Sequence, residues 1–356
     1  MPKRRRRTHV PTQVWHQERT GIGSRILGRS LMVYAIAGVV AVVVIALGLV
    51  AYGFGSNWLD DYNRPGSAAI QVGDTKYSVR DYSERLRQYI EQIGGPESQI
   101  AQNPTIAMQI VSDEIEEEAI VLSSAQELGL AATDEEVKAE IAQMLTLAGP
   151  DDPSFDTRLQ EELTKTNITE ARYRERARAA VLKRKAQEKF TAEVPATAES
   201  IHYREILLKD QAEADAVLAQ IRGGADFAQV AAEKSSDTAA KENGGDKGWA
   251  PRGYLDADRE AKLFALEPGG LTTFESNDQF FVYQVVEKQA DRPVEEAQKT
   301  TIADNSYRKW VEGKRAVVAI QNELSPGDCD GKKVKWALDH AVPSVNNGPI
   351  SESLCA

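Results

Sequence analysis

The sequence has few cysteines and histidines, the residues that most often hold zinc and other transition metals. Only two cysteines and four histidines occur among its 356 residues. Neither Cys329 nor Cys355 has a histidine at the short spacing used by metal sites, so we expect no metal and no cofactor. A disulfide between these two cysteines and a pair of free thiols both fit the sequence, and we expect the disulfide.

Charge is also missing from one long segment. Between Ser30 and Leu59 there is no charged side chain, and the run from Leu31 to Phe54 is almost wholly apolar. About 20 apolar residues in a helix are enough to cross the core of a bilayer. The sequence therefore predicts a transmembrane helix at 30–54. A cleaved signal peptide is the alternative, but its apolar core would be only about 7–15 residues long.

The charges that are present are unevenly distributed. The whole chain carries −11 and residues 1–29 carry +7, so residues 60–356 carry −18. Basic residues beside an apolar span stay on the cytoplasmic side, which predicts that the chain after the span is extracytoplasmic. An acidic body repels phosphate backbones, and we therefore expect no nucleic-acid partner.

Changes in residue pattern divide the rest of the chain. Apolar residues at helical spacing predict an almost wholly helical domain with one short strand. Val194-Pro195 marks its end, and the next segment has predicted strands at both ends with short helices between them, which is typical of a small α+β domain. A helix after Pro293 is expected to fold back on the helical domain. The predicted segments are a basic cytoplasmic segment (1–29), a transmembrane helix (30–54), a linker (55–67), a helical domain (68–197), an α+β domain (198–289), a C-terminal helix (290–324) and a tail (325–356).

Four stretches of the α+β segment point to a known family. They occur in the order YREILLKDQAEADAVLAQIRGGADFAQVAAEKSSD, NGGDKGW, AKLFALEPGG and FFVYQVVEK, and together they resemble a parvulin-type peptidyl-prolyl isomerase domain. The flanking stretches LGLAATDEEVKAEI and LKRKAQEKF make the helical domain similar to that of SurA-like and PrsA-like foldases. The resemblance implies a four-stranded antiparallel sheet with helices, beside a helical chaperone domain of an exported folding factor.

Carrying the family's catalytic positions onto this sequence gives four candidate residues. The two histidines of the family fall on Glu205 and Phe281, and its Cys or Asp position falls on Thr238, with Asp237 just before it. His202 lies three residues before Glu205. Because side chains alternate along a strand, His202 is expected on the opposite face and does not replace the missing histidine.

The family's substrate-binding positions give four more candidates. Three positions that line the proline pocket fall on Lys247, Leu255 and Arg259, so only one of them is apolar. Trp249 fits the family, either as a substrate contact or as part of the domain core. Because buried charges need partners, we hypothesise that Glu205 pairs with Arg259 or Lys247.

These features together predict a membrane-anchored, extracytoplasmic foldase. The resemblance implies a peptidyl-prolyl cis-trans isomerase (rotamase) of parvulin type that binds newly exported, unfolded polypeptides at X–Pro bonds. One alternative is a catalytically inert parvulin-like chaperone or quality-control scaffold that binds unfolded chains. Another alternative is a structural envelope protein without either activity.

Overall fold

The computed structural model divides the chain into two compact units, Met1–Pro65 and Gly66–Ala356. The residues that it describes are 22–95, 104–325, 330–342 and 355. The first unit contains one long helix, α1 (Ile22–Asn63), followed by a single 3-10 turn that begins at Arg64. All sheets among the described residues lie in the second unit.

The predicted transmembrane helix at 30–54 is wrong. The apolar run is part of the 42-residue helix α1, which continues through Asp60 and Asp61. Within the described ranges, no helix is both long and apolar enough to cross a membrane. The prediction treated the uncharged run as an element with its own ends, whereas the helix continues into the charged residues that follow it. Residues 1–21 of the predicted basic segment lie outside the described residues.

The second unit combines helices with two antiparallel sheets. Its helices are α2 (Val79–Gln92), α3 (Pro104–Ser124), α4 (Asp134–Met144), α5 (Phe155–Thr166), α6 (Glu170–Ala192), α7 (Gln211–Arg222), α8 (Phe227–Lys234), α9 (Thr238–Asn243), α10 (Ala257–Phe264), α11 (Glu296–Arg315) and α12 (Gly331–Ala341). Its strands are β1 (Ala68–Val72), β2 (Thr75–Ser78), β3 (Thr197–Leu208), β4 (Asp246–Pro251), β5 (Leu271–Ser276), β6 (Gln279–Pro293) and β7 (Ile320–Asn322).

The first sheet belongs to the helical part of the unit. Its strand order is β2-β1-β7, and β7 pairs with β1 through partners such as Ile70 and Asn322. The sequence predicted one short strand here and a C-terminal helix that continues to Leu324. The helix instead ends at Arg315, and the chain after it extends to pair with β1. Backbone pairing with a strand that is distant in sequence overrides the local helical pattern.

One apolar core joins the helices of this part. Residues of α2, α3, α6, α11 and α12 share a single buried cluster with β1 and β2. An ion pair crosses this core between α2 and α3, where Arg85 donates to both carboxylate oxygens of Glu118 at 2.6 and 3.0 Å. Cys355 is disulfide-bonded and packs against the same core. Cys329, the partner that the sequence predicts for it, lies outside the described residues.

The second sheet has four antiparallel strands in the order β4-β3-β6-β5. Side chains alternate between the two faces of this sheet and contribute to two separate apolar cores. One face packs on α7 and α8 through residues such as Ile206 and Val282. The other face packs on α10 and carries a cluster of aromatic rings. The prediction of an α+β fold with a helical region and a four-stranded antiparallel sheet is confirmed.

Candidate active site

The α10-facing side of the second sheet carries four aromatic residues, which we call the aromatic face: Tyr203, Phe274, Phe281 and Tyr283. The rings of Phe281 and Tyr283 are stacked with their centroids 5.7 Å apart. Phe274 lies 6.4 Å from Phe281, and Tyr203 lies 6.0 Å from Tyr283. All four are buried, so the rings form one packed apolar cluster on this side of the sheet. Rings at such distances attract each other and hold their positions.

A guanidinium group lies over this face. The Arg259 guanidinium carbon is 5.7 Å from the ring centroids of Phe274 and Phe281 and 5.9 Å from that of Tyr283. Its Nε atom lies 3.2 Å from a carboxylate oxygen of Asp256, the residue that caps α10. The cation is therefore held both by the negative faces of the rings and by a carboxylate. Three quarters of the Arg259 side chain is shielded from solvent.

Glu205 lies on the same face and is buried, with its side chain 8% exposed. It is directly opposite Tyr283 on the neighbouring strand β6. Burial, followed by the charge of Glu205, raises the pKa of the Tyr283 phenol. The same two causes, partly opposed by Arg259, raise the pKa of Tyr203 to about 12. A buried carboxylate thus borders the aromatic face.

The hypothesised partner of this carboxylate is Lys247. Its Nζ atom lies 3.4 Å from Glu205 Oε1, while Arg259 is engaged by Asp256 and the rings. Of the two pairs that the sequence left open, the structure forms the one with Lys247. The pair gives the buried carboxylate a positively charged partner, without which its burial would be costly.

The glycines before β4 bring Lys247 to this position. Gly245 adopts a φ of +80°, and a Cβ atom there would lie only 2.6 Å from the carbonyl oxygen of Glu205. The same two residues are joined by a hydrogen bond from Glu205 N to Gly245 O at 2.8 Å. Only glycine permits such a close approach of the two backbones. The turn therefore presses β4 against β3 beside the buried carboxylate.

Trp249 does not join the aromatic face. It lies opposite His202 on β3, and the two rings stack with centroids 5.4 Å apart. The Arg292 guanidinium lies 4.6 Å from the Trp249 ring. His202 Nε2 is 2.7 Å from Asp246 Oδ1, which also accepts a hydrogen bond from Gly248 N. His202 is thus tied to the turn before β4 and not to Glu205.

Asp237 and Thr238 lie at the start of α9. Asp237 is the N-cap of this helix, and its Oδ1 atom accepts a hydrogen bond from Ala239 N at 3.0 Å. Thr238 is the first helical residue and is exposed. The structure therefore brings Glu205, Lys247, Phe281, Leu255 and Arg259 to one face, and places the Trp249 ring beside His202. The eight residues remain site predictions.

Family models match two overlapping parts of the chain. Residues 27–187 match the SurA-like N-terminal domain, and residues 180–289 match the PPIC-type PPIase domain. The chain contains both of these domains. The second match includes the aromatic face, Glu205 and the glycine turn, so these features belong to a PPIase domain.

Three known proteins illustrate the similarity. Peptidyl-prolyl cis-trans isomerase pin4 of Neurospora crassa is 46% identical over 70 residues, which cover 20% of this chain and 52% of that protein. Foldase protein PrsA of Caldanaerobacter subterraneus is 24% identical over 195 residues, which cover 54% of this chain and 61% of that protein. The crystal structure of the peptidylprolyl isomerase PrsA from Bacillus anthracis matches 65% of this chain and 96% of its own at 19% identity and a TM-score of 0.35. This chain thus spans less than two thirds of the length of these two curated relatives.

Three aromatic members of the site were missed by the sequence analysis. Tyr203 lies two residues before Glu205 on β3, and Tyr283 lies two residues after Phe281 on β6. Residues two apart on a strand share a face. The period of two would therefore have pointed to both tyrosines, whereas Phe274 on β5 is brought in only by strand pairing.

Replacing Asp246 by asparagine should destabilise the PPIase domain at pH 7, and the loss should be smaller at pH 3. Partial burial opposes ionisation of Asp246, but hydrogen bonds from Gly248 N–H and His202 outweigh it and hold the pKa of this carboxyl below its usual range. A carboxyl with a lowered pKa stabilises the fold above its unfolded-state pKa of about 4, and this contribution is lost as the pH falls through the folded-state value. Since the side chain is 41% exposed, we expect a loss of about 1 kcal/mol or less.

Denaturant unfolding at pH 7 and pH 3 measures this difference. The exposed Asp291→Asn variant is the control, and it should not change the free energy of unfolding at either pH. A destabilisation by Asp246→Asn that is equally large at both pH values would contradict the electrostatic role of Asp246.

Proposed function

We propose that this chain is a peptidyl-prolyl cis-trans isomerase that acts as a foldase on unfolded polypeptides. The observation that carries the proposal is the aromatic face of a PPIC-type PPIase domain, with the Arg259 guanidinium held over three of its rings. A proline ring is apolar and fits an aromatic surface, and the neighbouring peptide group needs polar contacts. Both kinds of group are present at one place in the sheet.

The reaction needs no covalent step. Rotation about an X–Pro bond has a barrier of about 18–20 kcal/mol because the planar amide is conjugated. A site lowers this barrier if it binds the twisted amide better than the planar one. In our proposal the proline ring packs on Phe281 and its neighbours, which fixes one side of the rotating bond. The Arg259 N–H groups donate to the peptide on the other side.

Glu205 and Lys247 have a supporting role in this proposal. Their ion pair borders the aromatic face, so each charge still has a partner when a bound peptide excludes water. Leu255 is buried in the same apolar cluster and completes the surface for the proline ring. We assign substrate binding to Phe281, Leu255 and Arg259. The Trp249 ring stacks on His202 and does not join the aromatic face. We assign Asp237, Thr238 and Trp249 no contact with the proline ring.

The foldase part of the proposal is supported by the helical domain. Its match to the SurA-like N-terminal domain and its similarity to foldase protein PrsA both favour binding of unfolded chains. An extracytoplasmic location is favoured by the disulfide at Cys355, because disulfides persist in oxidising compartments and are rare in the cytosol.

A protease-coupled assay with a proline tetrapeptide tests the isomerase. The full chain should accelerate cis-to-trans isomerisation over buffer. Phe281→Ala should lower kcat/KM about tenfold, because it removes an apolar surface that binds the proline ring. Phe280→Ala is a matched control. Phe280 is the adjacent residue of the same strand, it packs in the cluster on the other face of the sheet, and its loss should change kcat/KM less than about twofold.

Two results would contradict the proposal. A wild-type rate equal to that in buffer would exclude isomerisation, and suppression of aggregation of a denatured protein by the same sample would then favour an inert chaperone. Equal losses in the Phe280 and Phe281 variants would show that the aromatic face is not the place where proline binds.

A further inference from the structure

Helix α11 contacts the PPIase domain through one of its faces. Gln298, Ile302 and Asn305 are spaced by four and three residues and therefore lie on the same side of the helix. Gln298 Nε2 donates to the carbonyl oxygen of Trp249 at 2.8 Å. Asn305 Nδ2 donates to two successive carbonyl oxygens, those of Gly253 at 2.9 Å and Tyr254 at 3.0 Å.

The two carbonyl groups that accept from Asn305 belong to the loop between β4 and α10. Gly253 is in a left-handed conformation with a φ of +85°, and a Cβ atom on it would lie 3.2 Å from Ile302 Cγ2. The amide of Gly253 donates to Glu260 Oε2 at 2.6 Å. The loop backbone is thus fixed from one side by α10 and from the other by α11. Leu255 follows directly and packs beside the aromatic face.

The other half of α11 belongs to the helical core. Tyr307 donates from its hydroxyl group to Glu117 of α3 at 2.6 Å. The ring of Phe190 of α6 lies 5.9 Å from that of Tyr307 and 6.1 Å from that of Trp310. One rigid helix therefore joins the helical domain to the loop that carries Leu255.

From these contacts we infer that Asn305 is a positioning residue for the proline-binding surface, through which the helical domain sets the place of Leu255. This inference rests on the proposed function. A side-chain amide can donate to both carbonyls, and each of them would otherwise lose a hydrogen bond at a partly buried site. Leu255 binds the proline ring equally in the planar and twisted states, so Asn305 acts on substrate binding and not on the rotation itself.

Asn305→Asp in the full chain tests the inference with little change of shape. The carboxylate faces two carbonyl oxygens and repels them, which displaces the loop. With the proline tetrapeptide, KM should rise about tenfold while kcat changes less than about twofold. Asn305→Ala, which only removes the donor, should raise KM about threefold.

Gln298→Ala is the matched control. It removes a hydrogen bond from the same face of α11, but to β4 and not to the loop. If Asn305 positions Leu255, the Gln298 variant keeps KM within about twofold of wild type. If Asn305 only helps α11 to dock, the two variants raise KM equally, and the inference is overturned. Thermal unfolding of each variant shows that the chain is folded when it is assayed.

A second measurement does not depend on activity. The methyl resonances of Leu255 in the full chain should shift in Asn305→Asp and stay in place in Gln298→Ala. Unchanged Leu255 resonances in Asn305→Asp would overturn the inference, whatever the kinetics. Absence of any isomerisation by the wild-type chain would instead refute the proposed function, and the Leu255 resonances would still decide whether Asn305 positions the loop.

Discussion

Replacing Gly245 by alanine is expected to lower the free energy of unfolding of the PPIase domain by about 3 kcal/mol or more. Two costs add at this residue. Its φ of +80° is one that a residue with a Cβ rarely adopts, and the new Cβ would lie 2.6 Å from the Glu205 carbonyl oxygen and 3.1 Å from the ring of Phe227. Because the nearer contact is with backbone, β3 or the turn has to move. The backbone at Glu205 is then displaced together with the turn.

Gly248→Ala separates the two costs. Gly248 also has a left-handed φ, of +73°, but a Cβ there would have open space around it. The Gly248→Ala variant should be destabilised only by its unfavourable φ, which costs about 1–2 kcal/mol. Denaturant unfolding of both variants makes the comparison. If both variants lose the same free energy of unfolding, the close approach of Gly245 to Glu205 does not affect stability, and the role of the turn in bringing Lys247 to the carboxylate is wrong.

Replacing Arg85 by methionine should destabilise the helical domain by about 3–5 kcal/mol. Arg85 and Glu118 form two hydrogen bonds, and their side chains are only 9% and 10% exposed. Removal of the guanidinium leaves the carboxylate in the core with a long hydrogen bond from the Tyr77 hydroxyl group, 3.4 Å away, and the electrostatic attraction of Arg176. A buried charge without a partner costs far more than the pair itself contributes.

The double variant Arg85→Met/Glu118→Met should recover most of this loss. It replaces the ion pair by apolar side chains of similar size, which is often neutral or stabilising. Arg158→Met, which breaks an exposed pair with Glu161, is the control and should cost less than about 1 kcal/mol. Urea unfolding measures all three. A double variant that is as unstable as Arg85→Met alone would show that the single loss comes from packing and not from the uncompensated charge.

The site suggests how a PPIase domain keeps cations next to an apolar surface. Lys247 has Glu205 as its partner, and Arg259 has Asp256 and three rings. Each positive charge is balanced locally, so the site as a whole adds no unpaired charge that a proline ring would have to desolvate. The two cations should therefore weaken binding of the proline ring only if these contacts break.

The transmembrane prediction shows where the sequence pattern led to a wrong element. The uncharged run from Ser30 to Leu59 predicts a helix that ends where the charged residues begin. A helix can, however, continue through charged residues. In the structure α1 continues to Asn63, and the described part of the chain has no helix that qualifies as a span. The end of α11 was misjudged in a similar way. Residues near 320 have an apolar pattern that is typical of a helix, but they form strand β7 and pair with β1.

The sequence by itself determined the elements whose signals are local. Alternating apolar residues specified the strands of the PPIase domain, glycines specified the turn before β4, and Thr133 with Glu136 specified the capping box at the start of α4. Each of these signals acts within a few residues and therefore needs no knowledge of the rest of the chain.

Only the tertiary structure decided which of these residues meet. The pairing of Glu205 with Lys247, the place of Arg259 over the rings and the hold of Asn305 on the loop all join residues that are far apart in sequence. Such contacts depend on strand register and on the direction in which a helix packs back against the rest of the fold. For each contact, several residues of the chain have suitable chemistry. The choice among them is made by packing and burial, which exist only once the chain has folded.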